Sequence, residues 1–212
     1  MGQSLVVNEA GPRPLCRRCH RHRNICVCDD CAVVPNRTPV TVLQHPSEVD
    51  RSKGTLPILE RCLDRLHVFV GETPNQFRQA GFSPGAWRPG TALLFPGPGS
   101  EALEQADLHG IEHWIVLDGT WRKAAKLLHL NPGIGGLPRF HFANPPPSRY
   151  IVRKAPGEHH LSTAEAVAHL LGIVEPGLDT APINEAMAAF VEKQLAQIPP
   201  HLRDRYSTPG RA

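Results

Sequence analysis

Aromatic residues are scarce, at 6% of the 212 positions, and methionine and tyrosine occur only twice each. No run of 18 apolar residues exists, which excludes an ordinary membrane-spanning helix. The first twenty residues lack the apolar stretch of a secretory leader, so a cytoplasmic setting with reduced thiols is expected. Neither G-x-G-x-x-G nor a Walker sequence is present, which leaves a Rossmann dinucleotide site and a P-loop ATPase unsupported. Internal repeats are missing, and Pro145-Pro-Pro147 is the one biased tract.

What the chain does hold is proline (22) and glycine (18), the composition of many turns rather than a helical bundle. Hydrophobic residues reach 41% against 20% charged, enough for a real core. The net charge of +3 is unevenly spread. Residues 1–40 carry six Arg and three acids, whereas 41–212 carry 17 of each sign. Within that balanced part, 119–157 holds seven basic side chains and no acid. Two basic blocks suit a polyanion, with a solvated face as the plain alternative.

Five of the six cysteines fall within 16 residues, and four follow C-x2-C-x6-C-x-C. Zinc takes four tetrahedral thiolate or imidazole ligands, and two short knuckles supply them without a core of their own. Reduced thiols argue against a disulfide framework. Cys16, Cys19, Cys26 and Cys28 are the expected ligands, with Cys31, His20 and His22 as nearby substitutes. Four protein ligands make a structural site. Cys62 reads as a small buried hydrophobe on a helix.

Beyond residue 37 short apolar strands alternate with helices. Strands are expected at 38–44, 66–70, 91–95, 113–117 and 138–142. Helices are expected at 52–64, 100–108, 120–130, 162–172 and 182–197. This predicts an α/β fold, a mainly parallel sheet flanked by helices. The domain plan is a Cys-rich zinc module over 1–36, a catalytic domain over 37–198 and a frayed tail over 199–212.

In such sheets ligands bind beyond the carboxyl ends of the strands. Three loops with unusual chemistry fall there: Gln44-His45-Pro46, Pro96-Gly97-Pro98-Gly99 and Asp118-Gly119-Thr120-Trp121. Asp118 reads either as a helix cap or as a proton acceptor on a pocket floor. Trp121 reads as core or as a stacking plate. Ser162 and Glu165 have the spacing of a capping box, and a helix start also welcomes a carboxylate.

Taken together these segments resemble the DTW-domain family of tRNA-uridine aminocarboxypropyltransferases. The resemblance rests on the cysteine spacing, His45-Pro46-x-Glu48-x2-Arg51 with Thr55, Leu94-Phe95-Pro96, Asp118-Gly119-Thr120-Trp121, Tyr150-Ile-Val-Arg153-Lys154 and Leu161-Ser162-Thr163-Ala164-Glu165-Ala166. It runs from about residue 14 to 195. Gly54 and Gly97 depart from the family's usual asparagine and serine.

The resemblance implies a SPOUT-like fold with a knotted cofactor region. It implies S-adenosylmethionine as donor of a 3-amino-3-carboxypropyl group, and N3 of a uridine in the variable loop of tRNA as acceptor. Asp118 would be the base, with Thr120 and Trp121 shaping its pocket. Phe95, Pro96, Gly97, Leu117, Asp118, Gly119, Leu161, Ser162, Thr163 and Glu165 would meet the donor. His45, Glu48 and Arg51 would position base or donor. Arg122, Lys123, Arg149, Arg153 and Lys154 would hold tRNA phosphates, and Arg17, Arg18, Arg21 and Arg23 would add a second grip. The competing readings are a SPOUT-type RNA methyltransferase, a non-enzymatic zinc-dependent RNA-binding protein, and the related transfer to rRNA.

Overall fold

The computed structural model describes residues 14–152 and 160–203. Six strands form one sheet: β1 (Val40–Gln44), β2 (Leu66–Val70), β3 (Thr91–Leu94), β4 (Glu101–Ala102), β5 (His113–Asp118) and β6 (Arg139–His141). Their order is β2-β1-β5-β3-β6-β4, and every pair is parallel. Seven α-helices are described: α1 (Leu56–Cys62), α2 (Pro74–Gln79), α3 (Trp121–Leu130), α4 (Pro132–Gly135), α5 (Thr163–Val174), α6 (Ala181–Ala196) and α7 (Pro200–Arg203). This is the α/β architecture the alternating pattern predicts.

The sheet is covered on both faces, which is why its central strands read as unbroken apolar runs. Side chains alternate across the pleat. Val42, Leu94, Trp114 and Val116 enter a core shared with α1, α5 and α6. Leu43, Leu93, Ile115 and Leu117 enter a second core with Phe77 of α2, Leu127 of α3 and Ile134 of α4. Trp114 is fully buried, so truncating it to alanine would cost about 3–5 kcal/mol.

Three local expectations are corrected. Residues 100–108 do not form a helix; Glu101–Ala102 is an edge strand beside β6, followed by a turn. Pairing to β6 wins over helix propensity there, and Glu104 accepts the backbone N–H groups of Ala143 and Asn144. The helix expected over 52–64 is shorter, at Leu56–Cys62, because 51–55 turns to face the site. Helices α2 and α4 were not expected, although Thr73 and Gln76 form a capping box that announces α2.

The cysteine-rich segment packs on the body. Ile25, Val27 and Val34 join the core of α1, α5 and α6. Lys193 of α6 donates to the carbonyl of Cys26 at 2.8 Å and pairs with Asp30. In the expected tail, α7 is a single helical turn; the rest of it lies outside the described residues.

Candidate active site

The parallel register sets the end of β1 beside the end of β5, with Gln44 opposite Asp118. The Gln44 amide donates to Asp118 Oδ2 at 2.8 Å. The Thr163 hydroxyl, at the first position of α5, donates to Asp118 Oδ1 at 2.5 Å. Asp118 is 8% exposed, so its carboxylate is nearly buried and held from both sides. It is not the cap of α3. Thr120 takes that role and accepts the N–H of Lys123 at 3.4 Å. Between them, Gly119 leaves room for a close approach: a Cβ there would lie 3.2 Å from that of Lys123.

Two cavities meet at this point. One, of about 190 Å³, is mostly apolar and is lined by Leu94, Phe95, Val116, Trp121, Phe142 and Leu161, among others. The other, of about 490 Å³, is the more polar of the two and includes Glu48, Thr55, Asp118, Arg122, Tyr150 and Ser162. Gly119, Trp121, Leu161 and Thr163 border both. Trp121 is 42% exposed and stands between Phe95, at 5.5 Å between ring centroids, and His160, at 5.2 Å. A large indole left this open beside a cavity offers a face on which a planar ring can stack.

The remaining site residues divide by position. Phe95, Pro96, Leu117, Gly119, Leu161 and Thr163 line the apolar cavity. Glu48, Asp118, Thr120, Trp121, Arg122 and Ser162 line the polar one. Buried Glu48 is bound by Lys123 at 2.5 Å. His45 lies behind this wall, bonded through Nε2 to Glu72 at 2.9 Å. Lys126, and after it His45, hold the Glu72 carboxyl below its ordinary range. Gly97 and Glu165 line neither cavity. Glu165 instead closes the capping box with Ser162 and accepts from Ser148 and the Arg149 backbone, which ties the 148–149 loop to α5. Arg51 and Arg149 are exposed. Arg153 and Lys154 lie outside the described residues.

Tyr150, Lys53, Gly54 and His160 also line the polar cavity and were not singled out from sequence as pocket residues. His141 and Phe142 line the apolar one. His141 ends β6 and Phe142 follows it, so the rule that sites lie at the carboxyl ends of strands points to both.

The four expected cysteines converge, with all their sulfurs within 4.8 Å of one another. Cys16 and Cys28 lie 3.9 Å apart, and Cys19 and Cys26 lie 3.7 Å apart. A tetrahedral zinc with about 2.3 Å bonds needs sulfurs about 3.8 Å apart, so the donor set fits the metal. The N–H groups of Cys19 and Arg18 lower the Cys16 thiol to about 6. Burial pushes Cys26 and Cys28 up. Cys31 stands outside this group, hydrogen-bonded to Cys62. Of the arginines here, Arg17, Arg18 and Arg23 are exposed, but Arg21 is buried and is no surface grip.

The DTW domain matches residues 13–195. The chain is similar to tRNA-uridine aminocarboxypropyltransferase 2 of Mus musculus, 32% identical over 179 residues, which is 81% of this chain and 60% of that protein. It is similar to the Drosophila melanogaster protein of the same name, 31% identical over 169 residues, covering 77% of this chain and 67% of the relative. It is also similar to tRNA-uridine aminocarboxypropyltransferase A of Arabidopsis thaliana, 28% identical over 202 residues, covering 77% and 74%. The chain thus spans about 60% of the length of the mouse protein. No solved structure matches it.

Proposed function

This chain belongs to the DTW domain family, and from that membership and its site we propose that it transfers the 3-amino-3-carboxypropyl group of S-adenosylmethionine to N3 of a uridine in tRNA. The observation that carries the reading is the Asp118 carboxylate, held by Gln44 and Thr163 where an apolar cavity meets a polar one.

The chemistry needs three things. Uridine N3 must lose its proton, the side-arm carbon must face it, and the methyl carbon must be turned away. Asp118 is the group placed to take the proton. As the N3–carbon bond forms, the sulfur–carbon bond breaks, and its electron pair leaves on sulfur as a neutral thioether. Selection among the three carbons on sulfur is a matter of orientation. The apolar cavity accepts the adenosine end against Phe95 and Trp121. The polar cavity accepts the side arm and the pyrimidine. Glu48 and Asp118 offer acceptors to an ammonium, and Arg122 and Lys53 offer positive charge to a carboxylate or phosphate. The base leaves its stack to enter.

Cys16, Cys19, Cys26 and Cys28 would hold a structural zinc ion, with no position left open for chemistry. Exposed Arg122 and Arg149, with Arg17, Arg18 and Arg23, would contact phosphates without reading sequence.

Mass spectrometry of nucleosides from tRNA incubated with the protein and S-adenosylmethionine tests this. An aminocarboxypropyl adduct on uridine is the expected product. A methyl adduct would replace the reading with methyl transfer, and an unmodified tRNA that is still bound would leave an RNA-binding protein.

A further inference from the structure

Arg21 sits between two of the clustered cysteines, yet its side chain points into the body. His20 before it adopts a positive φ of 56°, rare for a residue with a side chain, and this turns the chain inward. The Arg21 carbonyl accepts the N–H of Cys16 at 2.7 Å, so its backbone is tied directly to the cluster. Arg21 is 9% exposed, and its guanidinium lies 4.7 Å from the centre of the Phe190 ring and donates to the carbonyl of Gly54. Its other terminal nitrogen has no partner among the described residues.

The receiving end is the wall of the polar cavity. Gly54 and Thr55 line it. Thr55 Oγ1 accepts the N–H of Ala164 at 3.2 Å, one residue beyond the threonine that holds Asp118. One turn of α6 braces the same parts. Lys193 holds the Cys26 carbonyl, and Gln194 holds the Ser52 carbonyl at 2.6 Å. Phe190 carries Arg21 and stacks on Tyr150, at 6.2 Å and 13° between planes. The hydrogen bonds of Arg21 to Gly54 and of Ala164 to Thr55 both end on cavity residues, which plain packing would not require.

We propose that Arg21 is a positioning residue that couples metal occupancy of the four-cysteine cluster to the shape of the polar cavity. Loading the cluster locks the turn that carries Arg21. Arg21 then holds the Gly54 carbonyl, and through Thr55 it steadies the start of α5. A zinc ion held by four thiolates gives the cluster two net negative charges, which would add to the Glu60 carboxylate that already favours the buried guanidinium. Without the metal the wall at 52–55 loosens and the cavity binds its ligand less well.

The ligand part of this proposal rests on the donor reading above, and the structural part does not. The test therefore has two arms on the full chain, zinc-loaded and chelator-stripped, for the native protein, Arg21→Ala and Arg21→Lys. Hydrogen exchange is followed in peptides covering 51–57 and 161–167, with 66–79 as the reference. S-adenosylmethionine binding is followed by calorimetry. Stripping the native protein should raise exchange in the first two peptides and not in the reference, and should weaken binding about tenfold. Zinc-loaded Arg21→Lys, which keeps the charge but loses the planar fork, should show the same losses, and stripping it should add less than twofold. The lysine variant decides the matter should the alanine variant not fold. Unchanged protection at 51–57 in the stripped native protein overturns the proposal. So does equal exchange gain in the reference peptide, which would mean general unfolding. So does a zinc-loaded lysine variant with native protection. Should the loaded native protein bind no donor, the donor reading fails and the exchange arm still decides the coupling.

Discussion

Replacing Asp118 with asparagine separates the two things this side chain can do. The shape is kept, and the negative charge and the basic oxygen are lost. Thr163 can still donate to the amide oxygen, as it does to Oδ1 at 2.5 Å. The new NH2 then faces the Gln44 amide, which now donates to Oδ2 at 2.8 Å, so Gln44 must turn its own oxygen inward. Two charge-assisted hydrogen bonds become neutral ones, a loss of about 1–2 kcal/mol each. Relief from burying a charge offsets part of this, leaving about 1–3 kcal/mol. For a chain of this size that lowers Tm by roughly 2–12 °C, and the protein stays folded at assay temperature. Loss of a general base costs about 10²–10⁴ in rate. The assay is single-turnover transfer of labelled side arm to tRNA at several pH values, beside a melting curve. We expect the rate to fall by that factor and its acid limb to flatten. A variant within about fivefold of the native rate, at whatever Tm, would refute the base and leave Asp118 as an organiser of β1, β5 and α5.

Trp121→Leu should weaken ligand binding by about 1–3 kcal/mol while moving Tm by no more than about 2 °C, because the indole is 42% exposed; calorimetry and melting check both. Burial alone would raise the Glu175 carboxyl, but N–H groups of Thr38 and Arg37 outweigh it and hold it below its ordinary 4.5. Its stabilisation is therefore present above that value and lost as pH falls through the lowered one. Glu175→Gln should cost about 1–3 kcal/mol at neutral pH and give a flatter acid limb in urea titrations. Protons compete with zinc for the four thiolates, so metal release followed with a chromogenic chelator should rise steadily as pH falls. Arg122→Gln and Arg149→Gln should each reduce the salt dependence of tRNA binding by about one charge, with affinity measured across salt concentrations.

How far the sequence reveals the molecule depends on how local each signal is. β1 and β5 were legible because burial on both faces writes apolar runs such as Val42-Leu43 and Ile115-Val116-Leu117. The Ser162–Glu165 box was legible because its two partners sit three residues apart. The strand-end rule alone puts the 44–46, 96–99 and 118–121 loops on one edge of the sheet. Short elements escaped: α4 has four residues, too few to show a period, and β4 has two. Long-range partners escaped as well. Nothing near Asp118 names Thr163, and nothing in the run of arginines near the first cysteines says that Arg21 alone turns inward onto Phe190. That outcome depends on one left-handed residue and on an aromatic ring supplied by the far end of the chain.

The hydroxyl that grips Asp118 lies 45 residues further along the chain, and a ribosome takes about 2–9 s to cover that distance. Through that interval a growing polypeptide has its strand with the carboxylate but neither the threonine nor the helix that closes the pocket. Any ligand that needs both walls has to wait for the closing segment to emerge. Translation order thus sets when the pocket can close, since its last wall is made only with α5.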